Sequence, residues 1–332
     1  MSFQGWEKTR IVRPNGNQTD AIAPVIISAS RATDIPAFFP LWFSNRLKAG
    51  YMLWTNPFNA KQVQYVSFQN TRVVVFWSKN PKPLFRYLPE LDERGINYYF
   101  QFTLNDYEKE GLEPNVPSLL QRVETFKELV EKVGEKRVIW RFDPLILSDS
   151  LTIDVLIDRI SLLANILQGY TEKLVISFAD IKQYKKVQNN LTRQQINYKE
   201  FTLELMTEFA ERLSQLNREW GLKIATCAED VDLVGIDRNR CIDDNLMVDL
   251  FKSDDKLMGF LGYSSDLFSD VPTWTYNKDK GQRKACGCIV SKDIGMYDTC
   301  NHLCAYCYAN MSSVAVQNNL RKHNPASETL IA

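Results

Sequence analysis

The chain has 332 residues, 45% of them hydrophobic and 24% charged, ordinary values for a globular protein with a substantial core. Forty basic and forty acidic side chains cancel, which argues against a protein that coats nucleic acid by charge and leaves room only for a local basic groove. No stretch approaches the roughly 18 consecutive apolar residues of a membrane span, and the opening Met-Ser-Phe-Gln-Gly-Trp-Glu-Lys-Thr-Arg lacks the apolar centre of a signal peptide. The expectation is a cytoplasmic protein without a membrane partner, where thiols stay reduced and clustered cysteines read as metal ligands.

Residues 1–23 read as a polar lead-in, with Pro14-Asn-Gly-Asn-Gln offering little to bury. Strand–helix units are expected over 24–256, and a Cys-rich segment that closes the fold over 257–332. The candidate strands are Val25–Ser28, Met52–Thr55, Val73–Trp77, Tyr98–Thr103, Val138–Arg141, Leu174–Phe178 and Ile224–Cys227. They are short and rich in β-branched or aromatic residues, as parallel strands buried on both faces are. Between them, Ser118 caps a helical stripe running from Leu119 to Val133, and Thr152 starts another that Gly169 stops. The longest stripe runs from Phe201 to Trp220 and ends at Gly221. Repeated strand–helix units imply a parallel sheet with right-handed crossovers. A (β/α)8 TIM-type barrel takes roughly 250 residues, so one barrel with a Cys-rich cap fits the length.

Polar groups follow almost every candidate strand. Ser28, Ser30, Arg31, Thr33 and Asp34 follow the first, Thr55 and Asn56 the second, and Ser78 and Lys79 the third. Arg141 and Asp143 follow the fifth, Asp180 the sixth, and Cys227, Glu229 and Asp230 the seventh. In a barrel these ends meet at one mouth, where active sites lie. Arg31, Asp34, Lys79, Arg141, Asp143 and Glu229 are therefore the candidate catalytic groups. Arg141 and Lys79 suit a carboxylate or phosphate. The plainer alternative is a set of helix caps and an internal ion-pair network of Arg141, Asp143 and Glu229. With only two histidines, His302 and His323, a His-based triad is excluded.

All seven cysteines lie after residue 226. Cys300, Cys304 and Cys307 share one short loop, and Tyr306 immediately precedes the third. Three thiolates suit an iron–sulfur centre, or a structural zinc if His302 or another Cys supplies a fourth ligand. His302 itself is expected to point to solvent. The remaining four, Cys227, Cys241, Cys286 and Cys288, are enough for a second centre, either zinc or a second cluster, with Gly287 easing the Cys-Gly-Cys backbone. Buried hydrophobic packing is the alternative for Cys227 and Cys241.

The pattern Cys300-x-x-x-Cys304-x-Tyr306-Cys307 resembles the cluster loop of radical S-adenosylmethionine enzymes. That resemblance implies a four-iron [4Fe-4S] cluster on Cys300, Cys304 and Cys307, with S-adenosylmethionine on the open iron and Tyr306 beside its adenine. It also implies reductive cleavage of that cofactor to a radical that abstracts hydrogen. The family places this loop after its first strand, whereas here 25 residues follow Cys307. A strand near Cys288–Ile294 and a helix over Met311–Leu320 would make an eighth unit beside Val25–Ser28, a barrel circularly permuted relative to the family. The family's glycine-glycine-glutamate pattern is absent there, and Ser28, Ser30 and Thr33 stand in as cofactor-binding groups.

More widely, the chain resembles an uncharacterised microbial family of unknown function with a C-terminal cysteine cluster. The stretches that carry this are Ile27-Ser-Ala-Ser-Arg-Ala-Thr-Asp-Ile-Pro36, Phe76-Trp-Ser-Lys-Asn-Pro81, Trp140-Arg-Phe-Asp-Pro144, Cys227-Ala-Glu229 and Gln282 to Tyr308. The first two also look distantly like spore photoproduct lyase. The expected function is a radical S-adenosylmethionine-like enzyme acting on a small-molecule or nucleotide substrate and drawing on an electron-donor protein. The rivals are a metalloprotein whose zinc or closed cluster only fastens the C-terminal segment, and a barrel hydrolase using Asp34, Asp143 and Glu229.

Overall fold

The computed structural model describes residues 3–57, 59–264 and 273–332, so residues 265–272 of the Cys-rich segment lie outside the described residues. Eight strands form one parallel sheet in the spatial order Asp237–Arg238, Lys223–Thr226, Lys173–Phe178, Val138–Leu145, Asn97–Thr103, Val73–Ser78, Ile26–Ala29, Lys292–Asp293. The expected barrel is thus met as an eight-stranded parallel α/β sheet. Among the described residues no pairing joins its two end strands.

One candidate strand belongs elsewhere. Met52–Thr55 lies in Tyr51–Asn56, which pairs antiparallel with Asn59–Ser67 in a separate four-stranded sheet. Its outer half is only partly buried, unlike a strand covered on both faces. Thr55 and Asn56 are therefore not strand ends of the parallel sheet. The lead-in supplies that outer sheet with two more strands, Glu7–Val12 and Gln18–Ala23, joined at Gly16, whose φ of 81° suits the turn. The place in the parallel sheet goes to the two-residue strand Asp237–Arg238.

Alternation along the strands splits the core. Val74, Phe76, Phe100 and Phe102 pack with the helices of the first two-thirds of the chain. Their neighbours Val73, Val75 and Tyr99 face the other way, against Met247, Phe251, Leu257 and Cys288. The second face is thus covered by the helices Asp244–Phe251 and Asp255–Leu261 and by the Cys-rich segment.

The helices begin and end where their caps dictate. Ser118 and Gln121 close a capping box on Leu119–Val133, Thr152 caps Ile153–Leu167, and Thr202 caps Leu203–Trp220, which stops at left-handed Gly221. No helix among the described residues is long and apolar enough to cross a membrane. The helix Ser313–Lys322 follows the three-Cys loop, and the chain then runs under Trp42, whose Nε1 donates to the carbonyls of Ser327 and Thr329, both at 3.1 Å. Glu328 ends there, accepting from Arg13 at 2.9 Å and Tyr51 at 2.7 Å.

Candidate functional site

The strand Lys292–Asp293 pairs with Ile27 and Ser28, placing the loop that follows it beside the end of Ile26–Ala29. Asp293 fastens that junction. Its carboxylate accepts from Ser28 Oγ at 2.9 Å, Ser30 Oγ at 2.6 Å, the Arg31 amide at 3.0 Å and the Gly295 amide at 2.9 Å. The approach is so close that a Cβ on Gly295 would fall 1.9 Å from Ser30 Oγ. Ser28 and Ser30 therefore donate within the protein. Thr33 Oγ1 and Arg31 Nη2, by contrast, are buried without a hydrogen-bond partner among the described residues.

The loop is then pinned from both sides. The Ala305 amide donates to the Leu112 carbonyl at 2.9 Å, and Asn310 Nδ2 to the Cys300 carbonyl at 2.8 Å. His302 does not point to solvent: it is 2% exposed, with Nε2 2.7 Å from Asp34 Oδ2 and Nδ1 3.4 Å from the Asn115 carbonyl. A pocket between Phe38 and Asp34 captures the ring, so burial with a carboxylate partner outweighs its hydration. Asp34 is a hub. Besides His302 it accepts from Ser78 Oγ at 2.8 Å and the amides of Lys79 and Ala37, at 2.8 and 3.0 Å. Both its oxygens are fully used.

A second network holds Tyr306. Lys79 Nζ lies 2.8 Å from Glu113 Oε1 and 2.9 Å from Tyr306 OH, which also donates to Glu113. Asn105 Nδ2 reaches Glu113 at 3.0 Å, and Arg122 Nη1 lies 3.4 Å from its other oxygen. Burial alone would raise the Glu113 carboxyl, but Lys79 and Arg122 overcome it and hold it below its ordinary value. Burial likewise opposes the charge on Lys79, and Glu113 and Cys304 more than restore it. Glu113, Asn105 and Asp293 were invisible as site residues because each is a lone polar group in a loop or strand. The only signal available was position after a strand.

The three loop thiols influence one another electrostatically, and burial pushes all three upward, Cys300 to about 12. The other four cysteines come together on the sheet's second face. Cys227 and Cys241 stand sulfur to sulfur at 3.4 Å, and the Cys241 amide donates to Cys288 Sγ at 3.3 Å, with Cys286 two residues before it. The hydrogen bond with Cys241 draws Cys227 down to about 7, against burial and with help from Arg141. Arg141 links this set to the strand ends. Its Nη1 is 3.1 Å from Cys241 Sγ and from Gln101 Oε1, and its Nε is 2.9 Å from Asp143. Ser177 donates to the other Asp143 oxygen. Trp77 lies under both guanidinium groups, 5.1 Å from Arg31 and 5.2 Å from Arg141. Glu229 stands apart from Arg141, accepting from the Phe178 amide at 3.3 Å, and burial followed by Asp180 lifts its carboxyl to about 7.

Among the described residues no group of three or more His, Cys, Asp or Glu side chains is arranged as a ready metal site. All seven cysteines are free thiols. A parallel α/β sheet with buried ion pairs and two sets of free thiols near its strand ends defines a cysteine-rich α/β protein with a polar site there. The chain belongs to the DUF1848 family, described as a domain of unknown function, whose family model matches residues 26–309. The match opens on the first strand of the parallel sheet and spans both thiol sets. No curated protein matches the chain.

Proposed function

We propose that this protein is an iron–sulfur enzyme of the radical S-adenosylmethionine type, with Cys300, Cys304 and Cys307 holding a four-iron cluster on a permuted (β/α)8 barrel. The observation that carries the reading is that the loop offers three thiols and withholds a fourth ligand. Both ring nitrogens of His302 are taken, and the other four cysteines are gathered in their own set. A three-thiolate cluster, when bound, keeps one iron open and supplies the electron for cleaving S-adenosylmethionine. The pairing of Lys292–Asp293 with Ile27–Ser28 supports the permuted strand order.

The protein's own groups fit a polar ligand beside that loop. Arg31 Nη2 and Thr33 Oγ1 are buried donors without partners among the described residues, and such groups are costly unless a ligand or water satisfies them. Lys79 and Glu113 hold Tyr306 in one position, so its ring is a fixed wall rather than a mobile one. Arg141 and Asp143 offer a charged pair to orient a small-molecule or nucleotide substrate, and a reductase protein is the natural electron source. Protein purified without oxygen should be brown, hold about four irons at this loop, and release 5′-deoxyadenosine from S-adenosylmethionine with dithionite. Colourless, iron-free protein that leaves the cofactor intact would sink the reading.

A further inference from the structure

We infer that Cys227, Cys241, Cys286 and Cys288 form a mononuclear tetrahedral metal site, of the zinc four-thiolate kind, independent of the three-Cys loop. The four residues come from three separate places: the end of Lys223–Thr226, the turn before Asp244–Phe251, and the Cys-Gly-Cys segment. Packing of hydrophobic cysteines alone would not explain what surrounds their sulfurs. Cys241 Sγ faces two side-chain donors, Arg141 Nη1 and Asn239 Nδ2, both at 3.1 Å. Cys288 Sγ faces two backbone donors, the amides of Cys241 at 3.3 Å and Ile242 at 3.4 Å.

A neutral thiol is a weak acceptor, so four donors aimed at two buried sulfurs suit thiolates. Arg141 brings one positive charge to Cys241, which cannot balance four buried thiolates, and a divalent metal bound by all four is the common means of doing so. Donors to the ligating atoms are also what orient and tune such sites. Gly287 adds a steric argument. A Cβ there would meet Arg240 Cγ at 2.9 Å, so the residue between the two cysteines is kept bare for close approach to the turn carrying Cys241.

Spacing chooses the metal centre. Four bonds of about 2.3 Å in a tetrahedron set neighbouring sulfurs roughly 3.8 Å apart. Cys227 and Cys241 stand at 3.4 Å, close to that edge. The corner thiolates of a cubane are held farther apart, because an iron–iron edge is added between two iron–sulfur bonds. Cys227 and Cys241 meet sulfur to sulfur, the Cys241 amide reaches Cys288 Sγ, and Gly287 alone separates Cys288 from Cys286, so rotation about the Cα–Cβ bonds is the movement that would close the four around one ion.

The test uses the full chain with Cys300, Cys304 and Cys307 all changed to Ser, so that the outcome does not depend on the loop's own chemistry. That variant should retain one zinc per chain, and X-ray absorption at the zinc edge should find about four sulfur neighbours near 2.3 Å. Adding Cys227→Ser and Cys241→Ser should remove the zinc. Should that form fail to fold, Cys288→His keeps a ligand in place and should retain zinc with three sulfur and one nitrogen neighbours. Asn239→Ala should weaken zinc binding about tenfold, as loss of a group that orients a ligand does. A loop variant that is metal-free, that holds several irons, or that carries a Cys227–Cys241 disulfide would overturn the inference.

Discussion

The two thiol sets are supported in different ways. At the loop, the polar contacts serve the chain around the sulfurs: Asp34 takes His302, Glu113 takes Tyr306, and Asn310 takes a cysteine carbonyl. At the thiols themselves burial prevails, driving them toward their neutral form against backbone donors at Cys300 and Cys307. On the second face the side-chain and backbone donors turn on the sulfurs directly. The first arrangement fixes a backbone and, among the described residues, gives its thiols no side-chain donor. The second polarises the thiols before anything binds. Position in the sheet separates them: one set follows the strand at the sheet's edge, while the other is wedged between the strands and the helices that cover them.

Breaking the loop's ionic support should have the largest effect. Glu113→Ala leaves Lys79 and Arg122 buried without their carboxylate, and such losses cost about 3–5 kcal/mol. A urea titration should register that loss. A change below about 1 kcal/mol would mean that the network does not carry the loop. His302→Phe is the next test. It keeps a ring against Phe38 while removing the bond to Asp34, and should cost about 1–3 kcal/mol without altering the loop's iron content. Iron lost from an otherwise folded variant would make His302 a ligand and erase the contrast between the sets.

The gentlest probe is pH. Lys292 Nζ sits 3.2 Å above the Trp54 ring, and burial lowers its pKa to about 8. The native state therefore resists charging it. Stability should be lowest below about pH 8 and rise as pH climbs from there toward 10.5, the range in which the unfolded chain still holds the proton and the native chain has released it. Measured against Lys292→Met, the wild-type denaturation midpoint should gain over that window. Parallel curves for the two proteins would show that burial does not perturb this lysine.

Much of the fold is legible in the sequence, and what escapes has physical causes. Leu119–Val133, Ile153–Leu167 and Leu203–Trp220 announce themselves because each pairs an apolar stripe with a cap. Tyr51–Asn56 reads as one more parallel strand because an apolar run does not reveal its partner. Glu7–Val12 is mostly exposed and carries no apolar face to find, although Asn15-Gly16 marks its hairpin turn. Asp237–Arg238 is too short to have a period. At the site, cysteine spacing singles out Cys300, Cys304 and Cys307. It cannot predict that Cys227 stands against Cys241 or that the Cys241 amide reaches Cys288, since sequence separation says nothing of contact across a sheet. Asp34 reads in the sequence as a candidate catalytic group, and in the structure its four acceptor bonds make it a hub of the architecture.

The pairing of Lys292–Asp293 with Ile27–Ser28 also orders events in time. As the chain leaves the ribosome, Ile26–Ala29 can pair early with Val73–Ser78 but must wait for its second partner, made some 265 residues later. The edge strand, the Asp293 clasp and the thiol loop behind it form only once nearly all the rest has been synthesised. Closing so long a loop is entropically slow, so assembly of this corner should be a late step in maturation. A nascent chain stalled before residue 292 presents Ile26–Ala29 as an unguarded edge, which makes that edge a target for chaperones and for aggregation.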